Sequence, residues 1–148
     1  MNGFFDLSDM ITESTDHMCS QCGLDRGCKH PRIEPSGDNR LDTLILGEAP
    51  GESEDIESTQ FVGEVGQFFR KLLNQRDLDL DKDFKKTNSL RCRPPSNREP
   101  TRQELVCCHP HIDKLIREIK PKFIWLMGAA AIESYFMSRF STLTPTRW

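Results

Sequence analysis

The feature that most constrains the architecture of this chain is an alternation of two hydrophobic periods. The apolar run Leu41 to Leu46 ends at Gly47 and reads as a buried strand feeding the tight turn GEAPG. After Gly63, residues Val65, Phe68, Phe69, Leu72 and Leu73 recur at helical spacing. A second strand is expected to end near Asn88, and a third buried strand at KFIWLMG leads into a helix beginning AAAIESYF. Strands that alternate with helices pair in parallel, because each crossover helix must pack back onto the sheet. The expected fold class is therefore a three-layer α/β/α domain with a mostly parallel central sheet. In such sheets ligands bind beyond the carboxyl ends of the strands, where both GEAPG and Asn88 lie.

Between these elements the signals are local. Thr101 with Glu104 three residues on makes a capping-box start, and Leu105, Cys108, Ile112, Leu115, Ile116 and Ile119 form one apolar stripe behind it. Pro110 is expected to kink or break that helix. Residues 4–17 are expected to form a short helix, and 19–40, rich in Gly, Pro, Cys and charge, a loop that needs a staple. The aspartates of 77–83 superficially resemble a calcium loop, but the central glycine is missing and position twelve is Asn88, so they read as a solvated connection. PPSNREP reads as an irregular loop.

At 148 residues the chain is a single domain, 1–148, with a loop at 19–40 and an α/β core at 41–140. No apolar run approaches the length of a membrane span, and the first residues lack a basic start and apolar middle, so a cytoplasmic monomer is expected. The net charge of −3 argues against nonspecific clamping of a polyanion, but it hides a segregation. Residues 85–102 hold six basic side chains against one acid, Glu99, whereas 48–57 hold five acids and no base. An acidic pocket beside a basic track follows.

Six cysteines in a reducing compartment point to metal or burial rather than disulfides. Cys19 and Cys22 form a common metal half-site. A second half would have to come from cysteines far along the chain, tying distant stretches together. Four thiolates suit either zinc or an iron–sulfur cube, and Cys28 is an alternative ligand.

Taken in order, GEAPGESED with FVGEVG, then TN, then RCRPPSNREPTRQELVCCHPHI, then KPKFIWLMGAAA resemble the family 4 uracil-DNA glycosylases, from about Cys19 to about residue 135. The resemblance implies an enzyme that hydrolyses the N-glycosidic bond of deoxyuridine in DNA, and a [4Fe-4S] cluster on Cys19, Cys22, Cys92 and Cys108. It implies that Glu48 and Glu54 act on the sugar or the attacking water, without ranking them. It places Phe61 as the aromatic that stacks on the flipped uracil, Asn88 as the amide that reads the base edge, and Gly47 and Ala49 beside the base. Arg91, Arg93 and Arg98 become candidates for phosphate contacts, with uracil-containing DNA as the partner. Asp55 reads as a solvated or helix-capping neighbour.

Two departures stand out. Ser58 and Gln60 occupy positions where the family carries glycine and proline, so the turn before Phe61 is expected to be set differently. The family's His-Pro-Ser loop is expected beyond residue 148, since none of His17, His30, His109 or His111 has that context, and the chain reads as C-terminally truncated.

The residue types suit the chemistry. Cleavage passes through an oxocarbenium-like sugar and a uracil anion. A carboxylate stabilises the first and can orient water. The base must leave the stack, and stacking on an aromatic ring, worth about 1–3 kcal/mol, offsets part of that cost without regard to base identity. Identity falls to an amide, whose donor and acceptor match uracil O4 and N3–H and mismatch cytosine. A cluster-bearing nucleic-acid binding module without catalysis is the alternative function, and a zinc protein unrelated to DNA a third.

Overall fold

The computed structural model describes residues 19–137 and 139. The helix expected at 4–17 and the terminal STLTPTRW lie outside them. Strand β1 (Thr43–Gly47) is central, paired in parallel with β2 (Phe84–Asn88) on one side and β3 (Phe123–Leu126) on the other. All of β1 is buried, as a strand covered on both faces must be.

Alternation along β1 assigns the two faces. Ile45 packs with Phe84, Leu73 and Leu80 beneath helix α2 (Glu64–Asn74), with Phe61 and Phe69 against them. Leu46 faces the other way, onto Ile112 of helix α3 (Arg102–Ile119) and Ala131 of helix α4 (Ala129–Phe136). Helix on sheet on helix is the expected three-layer arrangement. A short helix, α1 (Glu52–Glu57), lies between β1 and α2 at the carboxyl end of the sheet.

The Thr101 capping box forms as read: the hydroxyl accepts the Glu104 N–H and the Glu104 carboxylate accepts the Thr101 N–H at 2.8 Å. Pro110, however, does not break α3, which runs unbroken from Arg102 to Ile119. Leu105, Cys107 and Cys108 are buried before the proline and Ile112 and Leu115 after it, and this packing on both sides outweighs one missing hydrogen bond.

Two further expectations are corrected. The third strand is not buried: Phe123 is 65% and Trp125 42% exposed. Among the described residues β3 pairs only with β1, so it stands at the sheet edge. The connection at 77–83 is not merely solvated. Asp83 is fully buried and accepts from Arg40 and from the Asp79 N–H, while Asp81 binds Arg70 and the buried Lys86.

The loop at 19–40 contains a single 3-10 turn, Leu24–Arg26, and is stapled by contacts distant in sequence. Ser36 bridges the outer edge of β2 at Lys86. No helix among the described residues is long and apolar enough to cross a membrane.

Candidate active site

The ends of β1 and β2 are lashed together. The Ser89 N–H and hydroxyl both donate to the Gly47 carbonyl at 2.8 Å, and the Leu90 N–H donates to the Glu48 carbonyl at 3.0 Å. Just beyond these ends opens a cavity of about 790 Å³ lined by Gly47, Glu48, Ala49, Glu54, Phe61 and Asn88 together. These are the carboxylates, aromatic, amide and backbone positions singled out in the sequence.

Gly47 is paired with Asn88 across the two strands, and the Asn88 side chain lies over it. A Cβ on Gly47 would stand 2.3 Å from Asn88 Oδ1 and 3.0 Å from Phe61 Cζ, so only glycine lets the amide and the ring meet there. Phe61 sits at φ +58, and a Cβ on Gly66 would collide with its backbone at 2.1 Å. The ring is thus held between Gly47 and the first turn of α2, with Phe69 behind it at a centroid distance of 6.1 Å.

The turn before Phe61 explains the two departures. Ser58 adopts the left-handed conformation (φ +53) that favours glycine. Gln60 is buried, donating to the Glu34 carbonyl at 2.5 Å and accepting from the Ser36 hydroxyl at 2.6 Å. A side-chain tether here replaces the rigidity of a proline.

The two glutamates differ. Glu48 is exposed to the cavity, and no hydrogen bond or ion pair among the described residues engages its carboxylate. Glu54 is occupied: Oε1 accepts the Val62 and Gly63 N–H groups at 2.9 and 2.7 Å, and Oε2 accepts the Gly51 N–H at 3.1 Å. Glu54 therefore organises the loop behind Phe61, and Glu48 is the carboxylate left open to the cavity. Asp55 is corrected: it is 4% exposed and accepts the Lys29 and His30 N–H groups at 2.9 and 2.8 Å.

Sequence reasoning missed Met127, Gly128 and Asn97 on the cavity wall. Met127 and Gly128 follow β3, so the rule about strand ends was a signal for them. Asn97, at φ +54 in an irregular loop, gave none.

The cysteines converge. Cys92 and Cys108 belong to one buried cluster with Leu24, Leu90 and Leu105, and Cys22 and Cys28 pack against it. All six cysteines are free thiols. Burial pushes Cys92 and Cys108 up to about 12, and neighbouring thiols add to it: Cys28, Cys108 and Cys19 around Cys92, Cys22 and Cys19 around Cys108. Burial also raises Cys19, Cys28 and Cys107. Cys107 shares the neighbourhood of Cys22 and Cys19. The Arg32 N–H points at Cys92 Sγ from 3.3 Å. Soft donors from the 19–28 loop, from the segment after β2 and from α3 suit a thiolate-held group. Among the described residues no three Cys, His, Asp or Glu side chains stand close enough to hold a single metal ion, so the thiols share a neighbourhood rather than a finished single-ion ligand set.

Of the arginines, Arg91 is corrected. It is 9% exposed and its guanidinium donates to the carbonyls of Ile33 and Arg32 and pairs with Glu34, which places it in the scaffold. Arg98 is exposed but forks onto Glu104 at 2.9 and 2.5 Å. Arg93, half-buried, donates to Asn97 Oδ1 at 2.7 Å on the cavity rim.

The profile of the uracil DNA glycosylase superfamily matches residues 34–147, spanning the strand ends, the cavity and α3. The chain belongs to the uracil DNA glycosylase superfamily. It is similar to the type-4 uracil-DNA glycosylase of Saccharolobus solfataricus, 36% identical over 83% of this chain and 56% of that protein. It is also similar to those of Sulfurisphaera tokodaii, 33% identical over 87% of this chain and 60% of that protein, and Thermotoga maritima, 34% over 96% and 72%. The chain thus spans little more than half the length of the first two of these superfamily relatives.

Proposed function

We propose that this protein is a DNA repair glycosylase that hydrolyses the N-glycosidic bond of deoxyuridine in DNA, releasing uracil and leaving an abasic site. The observation that carries the reading is the meeting of Glu48, Phe61 and Asn88 around one cavity at the carboxyl ends of a parallel sheet. A cavity of about 790 Å³ has room for an everted nucleotide. Phe61 stacks on the base. Asn88 offers its amide to O4 and N3–H, a pattern cytosine reverses. Glu48 faces the sugar, where its charge stabilises the oxocarbenium-like transition state and orients water.

Glu54 contributes by holding the Gly51, Val62 and Gly63 amides, which fixes the wall carrying Phe61. Cys19, Cys22, Cys92 and Cys108 would hold a [4Fe-4S] cluster whose contribution is structural, stapling the 19–40 loop to α3. Arg93, bonded to Asn97 of the cavity wall, is the arginine proposed to meet a phosphate. No histidine among the described residues lines the cavity.

Incubation with a uracil-containing single strand, followed by cleavage of abasic sites, tests the reading. Scission that slows markedly in Glu48→Gln and Asn88→Ala supports it. DNA retention without scission would favour a non-catalytic binding module instead. Purified protein devoid of iron and sulfide would remove the cluster from the proposal.

A further inference from the structure

We propose that Asp55 is a positioning residue that couples the cysteine-bearing loop to the Phe61 wall of the cavity through α1, an inference that rests on the reading of that cavity as the base site. Helix α1 has six residues, too few for its own hydrogen bonds to hold it. Two adjacent carboxylates fix it from opposite directions. Glu54 grips the Gly51, Val62 and Gly63 amides on the cavity side. Asp55 grips the Lys29 and His30 amides, directly after Cys28. His30 Nδ1 lies 2.5 Å from the Asp55 carbonyl, which can only accept, so the ring donates there.

Cys28 in turn packs against the buried cluster holding Cys92 and Cys108. A continuous path of hydrogen bonds and packing therefore runs from the thiols through 28–30, Asp55 and Glu54 to residues 62–63. A second tie, from Gln60 to Glu34 and Ser36, joins the same loop to the residue preceding Phe61. A carboxylate 4% exposed has no part in meeting solvent or substrate directly. Its effect on the base site passes through Glu54.

Residue-resolved amide exchange separates coupling from mere anchoring of the loop. The Val62 and Gly63 amides bind Glu54, not Asp55, so local anchoring leaves them unmoved. In Asp55→Ala, exchange at Lys29, His30, Val62 and Gly63 is expected to accelerate about tenfold or more, while Ile45 in β1 is unchanged. Asp55→Asn keeps one carbonyl acceptor and is expected to give a smaller change at the same four amides. KM for a uracil-containing strand should rise more than kcat falls, because the stacking wall loosens. Acceleration confined to Lys29 and His30 overturns the proposal. If Asp55→Ala exchanges faster in β1 as well, Asp55→Asn decides by the same criterion. Failure of the wild-type chain to release uracil would sink the function but leave the exchange result to decide the coupling.

Discussion

Gly47→Ala should separate the integrity of the fold from the integrity of the site. The added Cβ would stand 2.3 Å from Asn88 Oδ1 and 3.0 Å from Phe61 Cζ, so the amide must swing away. Both atoms are side-chain tips at the open end of the sheet, and the backbone pairing of β1 with β2 need not move. Overpacking of this kind costs about 1–3 kcal/mol, and the lower end is expected where a side chain can yield. The base site has no such latitude. Two hydrogen bonds to uracil at about 0.5–1.5 kcal/mol each are lost when the amide turns, or about 1–3 kcal/mol together. In kcat/KM that is a loss of about 5- to 150-fold, concentrated in the preference for uracil over cytosine. Steady-state uracil release on single-stranded oligonucleotides, with calorimetric melting in parallel, measures both quantities. In an Asn88→Ala background the same glycine substitution should add little, because the group it displaces is gone. Retention of full kcat/KM and discrimination by Gly47→Ala would refute the role given to Asn88. Additive losses in the double variant would refute the steric argument.

The two glutamates should part company. Glu48→Gln is expected to leave stability within about 0.5 kcal/mol of the parent while uracil release falls about a hundredfold or more. Glu54→Gln, which turns an NH₂ toward amide donors, should cost about 1–3 kcal/mol of stability by denaturant melts. Salt titrations of DNA binding should distinguish the arginines: Arg93→Ala lowers the slope of log affinity against log salt by about 1, whereas Arg91→Ala leaves it unchanged and lowers the melting temperature. Hydrogen bonding from Arg70, with Lys86 adding to it, holds the Asp81 carboxyl at about 2. A lowered folded-state value means the contribution is complete above the ordinary carboxylate range, near pH 4, and is lost as pH falls toward about 2. Melting temperature against pH should therefore have a shallower acid limb in Asp81→Asn, and an unaltered limb would deny that Asp81 contributes.

Much of the site was legible because of what a parallel sheet imposes. Once Leu41–Leu46 is a strand running into GEAPG and another strand ends at Asn88, the crossover rule brings both ends to the same edge. Gly47, Glu48 and Asn88 could then be grouped without knowing a single distance, whereas Phe61 joined them only through the family resemblance. The alternation of periods likewise decided the layers, since Ile45 and Leu46 on consecutive positions must serve opposite faces. That Cys22 and Cys92 belong to one set was implied by the family resemblance, and in the fold both side chains lie at the cluster of Leu24, Leu90 and Leu105.

Only tertiary structure decided which way individual charges turn. Glu54 and Asp55 are adjacent in sequence, yet one grips amides 8 and 9 residues ahead and the other amides 25 and 26 residues behind. Arg91 looked like its basic neighbours until the carbonyl of Arg32, 59 residues away, claimed its guanidinium. The exposure of β3 depends on which strands flank it, not on its own apolar composition. Periodicity is set by local backbone geometry and survives in the sequence. The partner of a charged side chain is set by segments that meet only when the chain has folded, and so it does not.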